Sequence, residues 1–405
     1  MKTLVVGMGK SGKGAARLLQ HLGHEVVGMD QNLQALVGIR PLRKEEGSFD
    51  MIVLSPGVPP HCVEVPEGCE IVGEAELAFR YMKNRSVGIT GTNGKTSLTL
   101  LITHALNIAG VRARALGNVG RSLCEYLINP DSEEVLIVEL SSFQLETMTS
   151  RALDEGVIIN ITPDHLDRYH SFEAYAAVKC CLGRLVKGEL LVGKEVNRRF
   201  QALLPKENLR VLGSDFYLQL KKEEQYLRLL GSDVVECAFA VCKKFGITWE
   251  EFEGACRTFR RPEHRLEYVG EVGGVRFYND SKATNVAAVA YAVGGVAGVI
   301  CLIAGGRIKG GCSFGEWRRS FPGKVREIFV IGEAAEQIER ELSDTVPVRR
   351  CPNLQRAVWS ARKEARSGEA VLLSPGCSSL DQFCDYEARG DQFKECVFNL
   401  RKMNS

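Results

Sequence analysis

The sequence predicts an α/β protein of three domains, each built around a largely parallel sheet. Short apolar runs recur along the 405-residue chain, and each is followed by a glycine-rich turn and a segment of helical period. This alternation is typical of strands joined by crossover helices. Fresh strands also begin after a polar stretch at 83–85 and after a glycine-rich stretch at 294–298. We therefore predict domains at 1–84, 85–289 and 290–405, since a single core rarely grows to this length.

The first domain begins with a strand, a glycine-rich turn and a helix. Its strands are predicted at 4–7, 25–30 and 51–55, and its helix at 12–22. The turn reads GMGKSG at 7–12, and Asp30 ends the next strand 18 residues after Gly12. Glycines allow a tight turn and let a phosphate approach the N-terminus of the helix. The first domain is therefore predicted to be Rossmann-like.

The turn alone leaves its ligand open. Asp30 can accept hydrogen bonds from a hydroxyl or a base edge, as expected for a nicotinamide dinucleotide, but UDP-linked sugars carry the same pyrophosphate. A turn that only packs a helix on a sheet is the third possibility. These observations on the turn do not choose among the three possibilities.

A second phosphate loop opens the central domain. GITGTNGKT at 88–96 follows a predicted strand at 86–90 and precedes a predicted helix at 97–109. Backbone N–H groups of such a loop surround phosphates, while Lys95 can reach the β- and γ-phosphates and the Thr96 hydroxyl can bind Mg²⁺. Ile89 stands where the strict pattern has glycine, so the loop is a variant. The central domain is predicted to be of the P-loop ATPase type.

Two further strands of the central domain end in polar residues. Glu139 lies at the end of the strand 135–140, and Asp164 and His165 follow the strand 157–161. Ligands of α/β folds collect at the carboxyl edge of the sheet, and a carboxylate beside a phosphate loop is a hard oxygen ligand suited to Mg²⁺. A solvated strand end is the alternative for Glu139, and a surface loop is the alternative for His165.

The third domain repeats the alternation of strands and helices. Its strands are predicted at 299–304, 327–331 and 370–373, with a helix at 333–342 and another at the C-terminus. This domain too is predicted to be Rossmann-like.

Composition excludes several classes of protein. The 52 basic and 50 acidic side chains nearly cancel, so no field of one sign attracts nucleic acid or a membrane surface. The longest largely apolar run, 296–304, is far shorter than a membrane span, and the first residues lack a signal-peptide pattern. The 14 cysteines show no paired spacing and read as small core residues of a reducing compartment. We expect a cytoplasmic protein and a monomer.

The motifs resemble the Mur ligase family. The loop at 90–96 is similar to that family's ATP loop, which folylpolyglutamate synthases share. Four further segments resemble its D-glutamate-adding members: ELSSFQLE at 139–146, NITPDHLDR at 160–168, NDSKATN at 279–285 and LSPGCSSLDQF at 373–383. The resemblance extends from Gly7 to Phe383. It implies ATP-dependent ligation of D-glutamate to UDP-N-acetylmuramoyl-L-alanine through an acyl phosphate, in peptidoglycan synthesis.

The resemblance also implies roles for individual residues. For ATP these are Gly91, Thr92, Asn93, Gly94, Lys95, Thr96 and Ser97. For the UDP-linked substrate they are Lys10, Ser11, Asp30, Gln31, Ser55, Gly57, Asn118 and Ser141. For D-glutamate they are Ser379, Leu380 and Tyr386, where Tyr386 stands in place of the family's usual phenylalanine. For two Mg²⁺ ions they are Thr96, Glu139, His165 and Lys179. Lys95, His165 and Lys179 are the implied catalytic residues.

Lys179 owes its implied role to its position. Tyr175 and Lys179 follow the DHLDR segment in a Tyr-x-x-x-Lys spacing, which resembles the family segment whose lysine is carbamylated by CO₂. An ammonium repels Mg²⁺, whereas a carbamate offers two anionic oxygens. Spacing alone would predict an ordinary surface lysine.

Two departures from the family's pattern affect nucleotide recognition. The family usually opens a late helix of the central domain with His-Asn-x-x-Asn, whose amides address adenine. Here GSDVVEC at 231–237 places Val234 and Cys237 where those amides are expected. The segment GGRIKG at 305–310 likewise lacks the usual acidic residue after its paired glycines, so we assign it no nucleotide contact.

Two rival functions remain at this stage. One is a sister ligase of the same family that adds another amino acid. The other is a non-ligase, either a nicotinamide-dependent oxidoreductase or a nucleotide-binding module without turnover. Phosphate release that requires both UDP-N-acetylmuramoyl-L-alanine and D-glutamate separates these alternatives.

Overall fold

Three sheets organise the chain, which the computed structural model describes at residues 1–43, 47–213, 230–308 and 313–404. Parallel strands alternate with helices, so the predicted α/β class is confirmed. The chain divides into two compact units. The first unit consists of Met1–Ile161, Glu173–Leu220 and Asp233–Phe259. The second consists of Thr162–Phe172, Lys221–Ser232 and Arg260–Ser405.

The first sheet has five parallel strands in the order β3-β2-β1-β4-β5. Its strands are β1 (Lys2–Val6), β2 (Glu25–Met29), β3 (Arg40–Pro41), β4 (Met51–Leu54) and β5 (Glu70–Gly73). Its helices are α1 (Lys10–His21) and α2 (Glu74–Tyr81). The central strands are buried on both faces, and they therefore appear in the sequence as unbroken apolar runs.

The second sheet has six strands in the order β11-β10-β9-β6-β8-β7, and all its pairings are parallel. Its strands are β6 (Ser86–Thr90), β7 (Ala113–Gly117), β8 (Val135–Glu139), β9 (Glu155–Ile158), β10 (Leu190–Gly193) and β11 (Leu209–Leu212). The associated helices are α3 (Lys95–Ile108), α4 (Leu123–Tyr126), α5 (Ser142–Leu145), α6 (Leu166–Tyr169), α7 (Phe172–Cys180), α8 (Leu182–Leu185), α9 (Lys194–Phe200), α10 (Ser232–Lys243) and α11 (Trp249–Thr258).

The order of strands positions both glycine-rich turns. Strand β1 lies between β2 and β4, and β6 lies between β9 and β8. In each of these two sheets, strands are added first on one side of the central strand and then on the other. The connections therefore separate at the carboxyl end of that strand and leave a crevice, where ligands of α/β folds bind. The turn at 7–12 follows β1, and the loop at 91–94 follows β6.

The third sheet has six strands in the order β12-β13-β17-β14-β15-β16. Its strands are β12 (Glu267–Val272), β13 (Val275–Asn279), β14 (Ile300–Gly305), β15 (Val325–Ile331), β16 (Val348–Arg350) and β17 (Ala370–Leu373). Its helices are α12 (Val286–Gly295), α13 (Ala335–Leu342), α14 (Leu354–Glu364) and α15 (Tyr386–Asn404). Among the described strands of this sheet, only β12 and β13 pair antiparallel, through a turn at Gly273 and Gly274.

This hairpin bears on the predicted start of the third domain. The third sheet begins at Glu267, whereas the prediction placed the boundary between 289 and 290. The glycines at 294–298 mark only the start of β14, because the hairpin that precedes them already pairs with β17. The three domain boundaries stay a prediction.

The cysteines of the described residues are all free thiols. Most are buried, including Cys180, Cys237, Cys242 and Cys301, as the sequence predicts, while Cys181 is half-buried. In the part of the chain that the structure describes, no helix is both long and apolar enough to cross a membrane.

Candidate active site

The loop between β6 and α3 has the backbone of a phosphate-binding loop. Gly91 and Gly94 have φ values of 152° and 84°, which side chains with a Cβ rarely adopt. Gly94 is the N-cap of α3, so the free N–H groups of the first turn face the loop. A Cβ on Gly94 would come within 3.1 Å of the Val234 side chain, which leaves little room there. N–H groups at a helix N-terminus can bind a phosphate, and the ATP-binding role of the loop stays a prediction.

Asn160, just beyond β9, holds this loop from the neighbouring strand. Its Oδ1 accepts hydrogen bonds from the N–H groups of Thr92 (3.2 Å) and Asn93 (2.9 Å), and its Nδ2 donates to the Asn93 carbonyl (3.1 Å). The Thr92 N–H also donates to the Asn160 carbonyl at 2.9 Å. Strand β9 ends at Ile158, earlier than the predicted 161. We did not assign Asn160 a role, although the segment at 160–168 contains it.

Two lysines meet at one carbonyl oxygen of the loop. Lys95 Nζ donates to the carbonyls of Gly91 (2.9 Å) and Thr92 (2.8 Å). Lys179 Nζ donates to the same Gly91 oxygen at 2.8 Å and lies 3.5 Å from Thr90 Oγ1. Lys179 is only 1% exposed, so its amine lies inside the domain and not on the surface. The structure thus brings together two of the three predicted catalytic residues.

The Lys179 amine also packs on an aromatic ring of its own helix. Lys179 Nζ lies 4.9 Å from the centre of the Tyr175 ring, and the Tyr175 hydroxyl is 3.1 Å from Thr92 Oγ1. The Tyr-x-x-x-Lys spacing places both side chains on the same face of α7. Tyr175 therefore connects α7 to the phosphate loop.

Glu139 joins the phosphate loop to a second loop. Its Oε2 accepts a hydrogen bond from Thr96 Oγ1 (2.7 Å), and its Oε1 accepts one from Asn118 Nδ2 (2.7 Å). The Asn118 N–H also donates to the Glu139 carbonyl at 3.0 Å. Glu139 is 1% exposed although it ends a strand, so it is not a solvated strand end. Two residues predicted from separate motifs, Thr96 and Asn118, therefore bond to the one carboxylate of Glu139.

His165 belongs to the second unit, unlike Lys95, Glu139 and Lys179. It has a φ of 53°, which is unusual for a residue with a side chain and stores backbone strain. Its N–H donates to Asp164 Oδ1 at 2.9 Å, and Asn285 Nδ2 donates to the other oxygen of Asp164 at 3.1 Å. Its metal-binding role stays a prediction.

The glycine-rich turn of the first domain is held by Asp30. Its Oδ2 accepts from the Met8 N–H and its Oδ1 from the Asn32 N–H (2.8 Å). The bond from Met8 is the main reason that the pKa of Asp30 lies below its usual value. A Cβ on Gly12 would lie 1.9 Å from the Gly7 carbonyl oxygen, so this position requires glycine. Asp30 thus shapes the turn, a role that the sequence did not reveal.

The other predicted UDP contacts surround this turn or lie apart from it. Lys10 and Ser11 begin α1, and Gln31 follows Asp30. Ser55 is buried behind Gly7, where a Cβ would approach it to 2.9 Å, and Gly57 is exposed nearby. Ser141 lies apart from the turn, as the N-cap of α5. Its hydroxyl donates to Gln144 Oε1 and accepts from the Gln144 N–H, as part of a capping box.

We expect the turn at 7–12 to bind a UDP-linked sugar and not a nicotinamide dinucleotide. The turn can hold a pyrophosphate, but no acid or base for hydride transfer stands in a matching motif of its domain. Calorimetric titration of the intact protein with NAD and with UDP-N-acetylmuramoyl-L-alanine distinguishes them. Saturable binding of NAD together with no response to the UDP precursor would refute the expectation.

The residues predicted to bind D-glutamate lie in the second unit. Ser379 is buried, Leu380 is 55% exposed, and the Tyr386 ring has Lys282 Nζ at 3.7 Å from its centre. Ser281 Oγ donates to the Tyr386 carbonyl at 2.8 Å, which joins the NDSKATN segment to the C-terminal motif. The role of Tyr386 in binding stays a prediction.

Arg389 supports this region, and sequence reasoning missed it. It is fully buried, and it donates to Ser281 Oγ (3.0 Å), to the Ser281 carbonyl (2.8 Å) and to the Cys377 carbonyl (3.2 Å). Burial lowers the pKa of Arg389 to about 10. No sequence signal marks it, because it lies within the amphipathic pattern of α15.

The structure shows where the two departures from the family's nucleotide-recognition pattern lie. Val234 and Cys237 are both buried in α10, and Val234 packs next to Gly94. Neither side chain can read the edge of a purine as an amide does. Of the segment at 305–310, Arg307 pairs with Glu333 at 3.4 Å, and Lys309 and Gly310 lie outside the described residues.

We therefore expect nucleotide choice to be looser than in enzymes that carry both amides. Each lost hydrogen bond to the base costs on the order of 1 kcal/mol of discrimination, roughly a factor of five. The ratio of kcat/KM for ATP to that for GTP measures this. A preference for ATP above about a hundredfold would mean that other groups read the base.

Comparison with known proteins agrees with this geometry. Residues 89–229 match the Mur ligase middle domain, and residues 264–377 match the glutamate ligase domain of Mur ligases. The chain is 39% identical to the UDP-N-acetylmuramoylalanine–D-glutamate ligase of Protochlamydia amoebophila, over 98% of this chain and 97% of the relative. It is 37% identical to the enzyme of that name from Acidobacterium capsulatum, over 99% and 96%.

Solved structures show the same fold at lower identity. UDP-N-acetylmuramate-alanine ligase MurC from Thermotoga maritima aligns with a TM-score of 0.61 at 14% identity, over 98% of this chain and 99% of that one. MurF ligase from Thermotoga maritima, solved in complex with ADP, aligns with a TM-score of 0.59 at 14% identity, over 88% and 90%. With two domain models matched and relatives well above 30% identity along nearly its whole length, the chain belongs to the Mur ligase family.

Proposed function

We propose that this chain is the ligase that joins D-glutamate to UDP-N-acetylmuramoyl-L-alanine at the expense of ATP, in peptidoglycan synthesis. The observation that carries the proposal is Glu139. One buried carboxylate contacts Thr96 of the phosphate loop and Asn118 of a second loop. This arrangement suits a reaction in which a phosphoryl group passes from ATP to a substrate held beside it.

The proposed reaction has two steps. An oxygen of the L-alanyl carboxylate attacks the γ-phosphorus of ATP, so that ADP leaves and an acyl phosphate forms. The amine of D-glutamate then attacks the acyl carbon, inorganic phosphate leaves, and the nitrogen loses a proton to give the amide. Phosphorylation is required because a carboxylate is a poor electrophile and its oxyanion is a poor leaving group. Positioning and charge neutralisation account for most of the catalysis of such transfers.

The phosphate loop supplies the positioning in this proposal. Backbone N–H groups of residues 91–97 bind the phosphates. Asn160 fixes the loop by bonding to Thr92 and Asn93. Lys95 exchanges its two carbonyl partners for phosphate oxygens when ATP binds. Ser379, Leu380 and Tyr386 of the second unit bind D-glutamate in the same proposal.

The residues present suit Mg²⁺. Glu139 and Thr96 are a hard carboxylate and a hydroxyl whose oxygens lie 2.7 Å apart beside the loop, and oxygen ligands of this kind are those that Mg²⁺ prefers. We propose Thr96 and Glu139 for one ion, and His165 with a modified Lys179 for a second. Bound there, Mg²⁺ would neutralise charge on the phosphates.

The position of Lys179 suits a carbamate. Its amine and that of Lys95 share the Gly91 oxygen as an acceptor, so two ammonium groups would repel each other there. Burial also disfavours the charged form of an amine, and the neutral form reacts with CO₂. A carbamate on Lys179 replaces that repulsion with attraction to Lys95.

The test of the proposed function is release of inorganic phosphate by the purified protein. We expect release that requires ATP, UDP-N-acetylmuramoyl-L-alanine and D-glutamate together. Substitution of other amino acids, each with its matching UDP precursor, is the control for a sister ligase. Release that proceeds equally well with another amino acid, or none with D-glutamate, would overturn the assignment.

We further propose that the protein acts as a cytoplasmic monomer without nucleic acid.

A further inference from the structure

A buried carboxylate outside the proposed chemistry connects two parts of the first unit. Glu74 is the first residue of α2 and is 1% exposed. Its Oε1 accepts a hydrogen bond from the Cys124 N–H at 2.9 Å, and Cys124 Sγ donates to the Glu74 carbonyl at 3.3 Å. Helix α2 flanks the first sheet, and Cys124 lies in α4, which follows β7 of the second sheet. Glu74 therefore ties the two sheet systems together.

Helix α4 continues directly from the turn that carries Asn118. The turn at 117–121 is closed by a hydrogen bond from the Gly117 N–H to the Arg121 carbonyl at 3.1 Å. Ser122 then caps α4 by accepting from the Glu125 N–H at 3.2 Å. Asn118, the second residue of the turn, is bonded to Glu139. The turn is thus held at one end by Glu139 and at the other by Glu74, through α4.

The same interface reaches the glycine-rich turn at 7–12. Helix α1 begins at Lys10 in that turn and packs on α4 through Gly14, where a Cβ would lie 2.1 Å from Ser122 Oγ. Helices α1, α2 and α4 therefore meet at Ser122 and Cys124. The two ends of the proposed UDP-substrate site, Lys10 and Asn118, are connected through this contact.

Burial determines the chemical state of Glu74. It raises the pKa of Glu74 to about 7, so the neutral carboxyl is the main form below neutral pH. Hydrogen bonds from Cys124, Ser122 and Leu123 act in the opposite direction and lower this pKa. A glutamine keeps an amide oxygen that can accept from the Cys124 N–H.

We propose that Glu74 is a positioning residue that sets the distance between the glycine-rich turn at 7–12 and the turn carrying Asn118, and thereby determines affinity for the UDP-linked substrate. The inference rests on the proposed function. It assigns Glu74 no contact with ATP, since the phosphate loop is held by Asn160 and Glu139.

The test compares Glu74→Ala, Glu74→Gln and Glu74→Asp with the unchanged enzyme. Glu74→Ala is expected to raise KM for UDP-N-acetylmuramoyl-L-alanine about tenfold, the effect of one lost hydrogen bond on a binding geometry. KM for ATP should stay within about twofold of the original. Glu74→Gln should restore the substrate KM, whereas Glu74→Asp, shorter by about 1.5 Å, should not. Calorimetric Kd values for the UDP precursor without ATP provide a readout that does not depend on turnover.

Glu133→Gln is the matched control. Glu133 is an exposed carboxylate in the connection between α4 and β8, so its loss should leave both KM values unchanged. If Glu74→Ala does not fold, the comparison of Glu74→Gln with Glu74→Asp carries the test alone. Equal changes in both KM values, or no difference between the glutamine and aspartate variants, would refute the positioning role. An unchanged enzyme that shows no ligation would refute the proposed function instead.

Discussion

Lys179→Ala is expected to abolish ligation while leaving binding of the UDP-linked substrate intact. The Lys179 amine is 1% exposed and lies at the Gly91 oxygen, where Lys95 also donates. Removal of the side chain removes the proposed carbamate and with it one anionic contribution to the second metal site. The Lys179 amine bonds to the phosphate loop at Gly91, whereas Asn118 is held by Glu139, so calorimetric Kd for UDP-N-acetylmuramoyl-L-alanine should not change.

Small carboxylates provide the sharper part of this experiment. Acetate or formate can enter the space left by the side chain and supply the missing oxygens, so partial recovery of activity is expected. Lys187→Ala is the matched control, because Lys187 is exposed in the same domain. Near-normal activity of Lys179→Ala without additives contradicts the proposal, and unmodified lysine in a well-resolved complex with magnesium and nucleotide counts strongly against it.

Lys95→Ala is expected to lower kcat by about a thousandfold, the usual cost of removing a charged group that stabilises a phosphoryl-transfer transition state. The Lys95 amine already lies over the phosphate loop, bonded to the Gly91 and Thr92 carbonyls. A phosphate oxygen in that position replaces those acceptors with a charged one. The positive charge then counters the negative charge that develops during transfer.

Single-turnover phosphate release at saturating ATP measures this effect on the chemical step. Lys95→Arg keeps the charge but not the compact shape of the ammonium, and it should recover only part of the rate. The Kd for the UDP precursor serves as the control for folding. A loss smaller than about tenfold would exclude Lys95 from the transfer step.

Local patterns explain what the sequence determined by itself. A strand, a glycine-rich turn and a helix involve residues that are neighbours in the chain, so periodicity and turn chemistry reveal them directly. Both glycine-rich turns and the parallel α/β sheets were predicted on this basis, whereas the family was inferred from the resemblance of five motifs. Strand β6 lies at the predicted 86–90, and the predicted ends of most other strands differ by a few residues.

Only the tertiary structure decided which motifs share a site. Thr96, Asn118 and Glu139 come from three segments of the chain, and they meet because β8 lies between β6 and β7. Sheet order also brings Asn160 to the phosphate loop. The two predicted ligands of the second metal, His165 and Lys179, fall in different units, a division that their nearness in sequence did not suggest.

The residues that the sequence did not reveal have one feature in common. Asn160, Glu74 and Arg389 each bond to backbone groups 12 to 108 positions away in the chain, and none belongs to a periodic pattern that marks its role. Such contacts depend on which elements become neighbours in space. Apolar periodicity determines that an element has a buried face, but the order of strands and the packing of helices decide what that face meets.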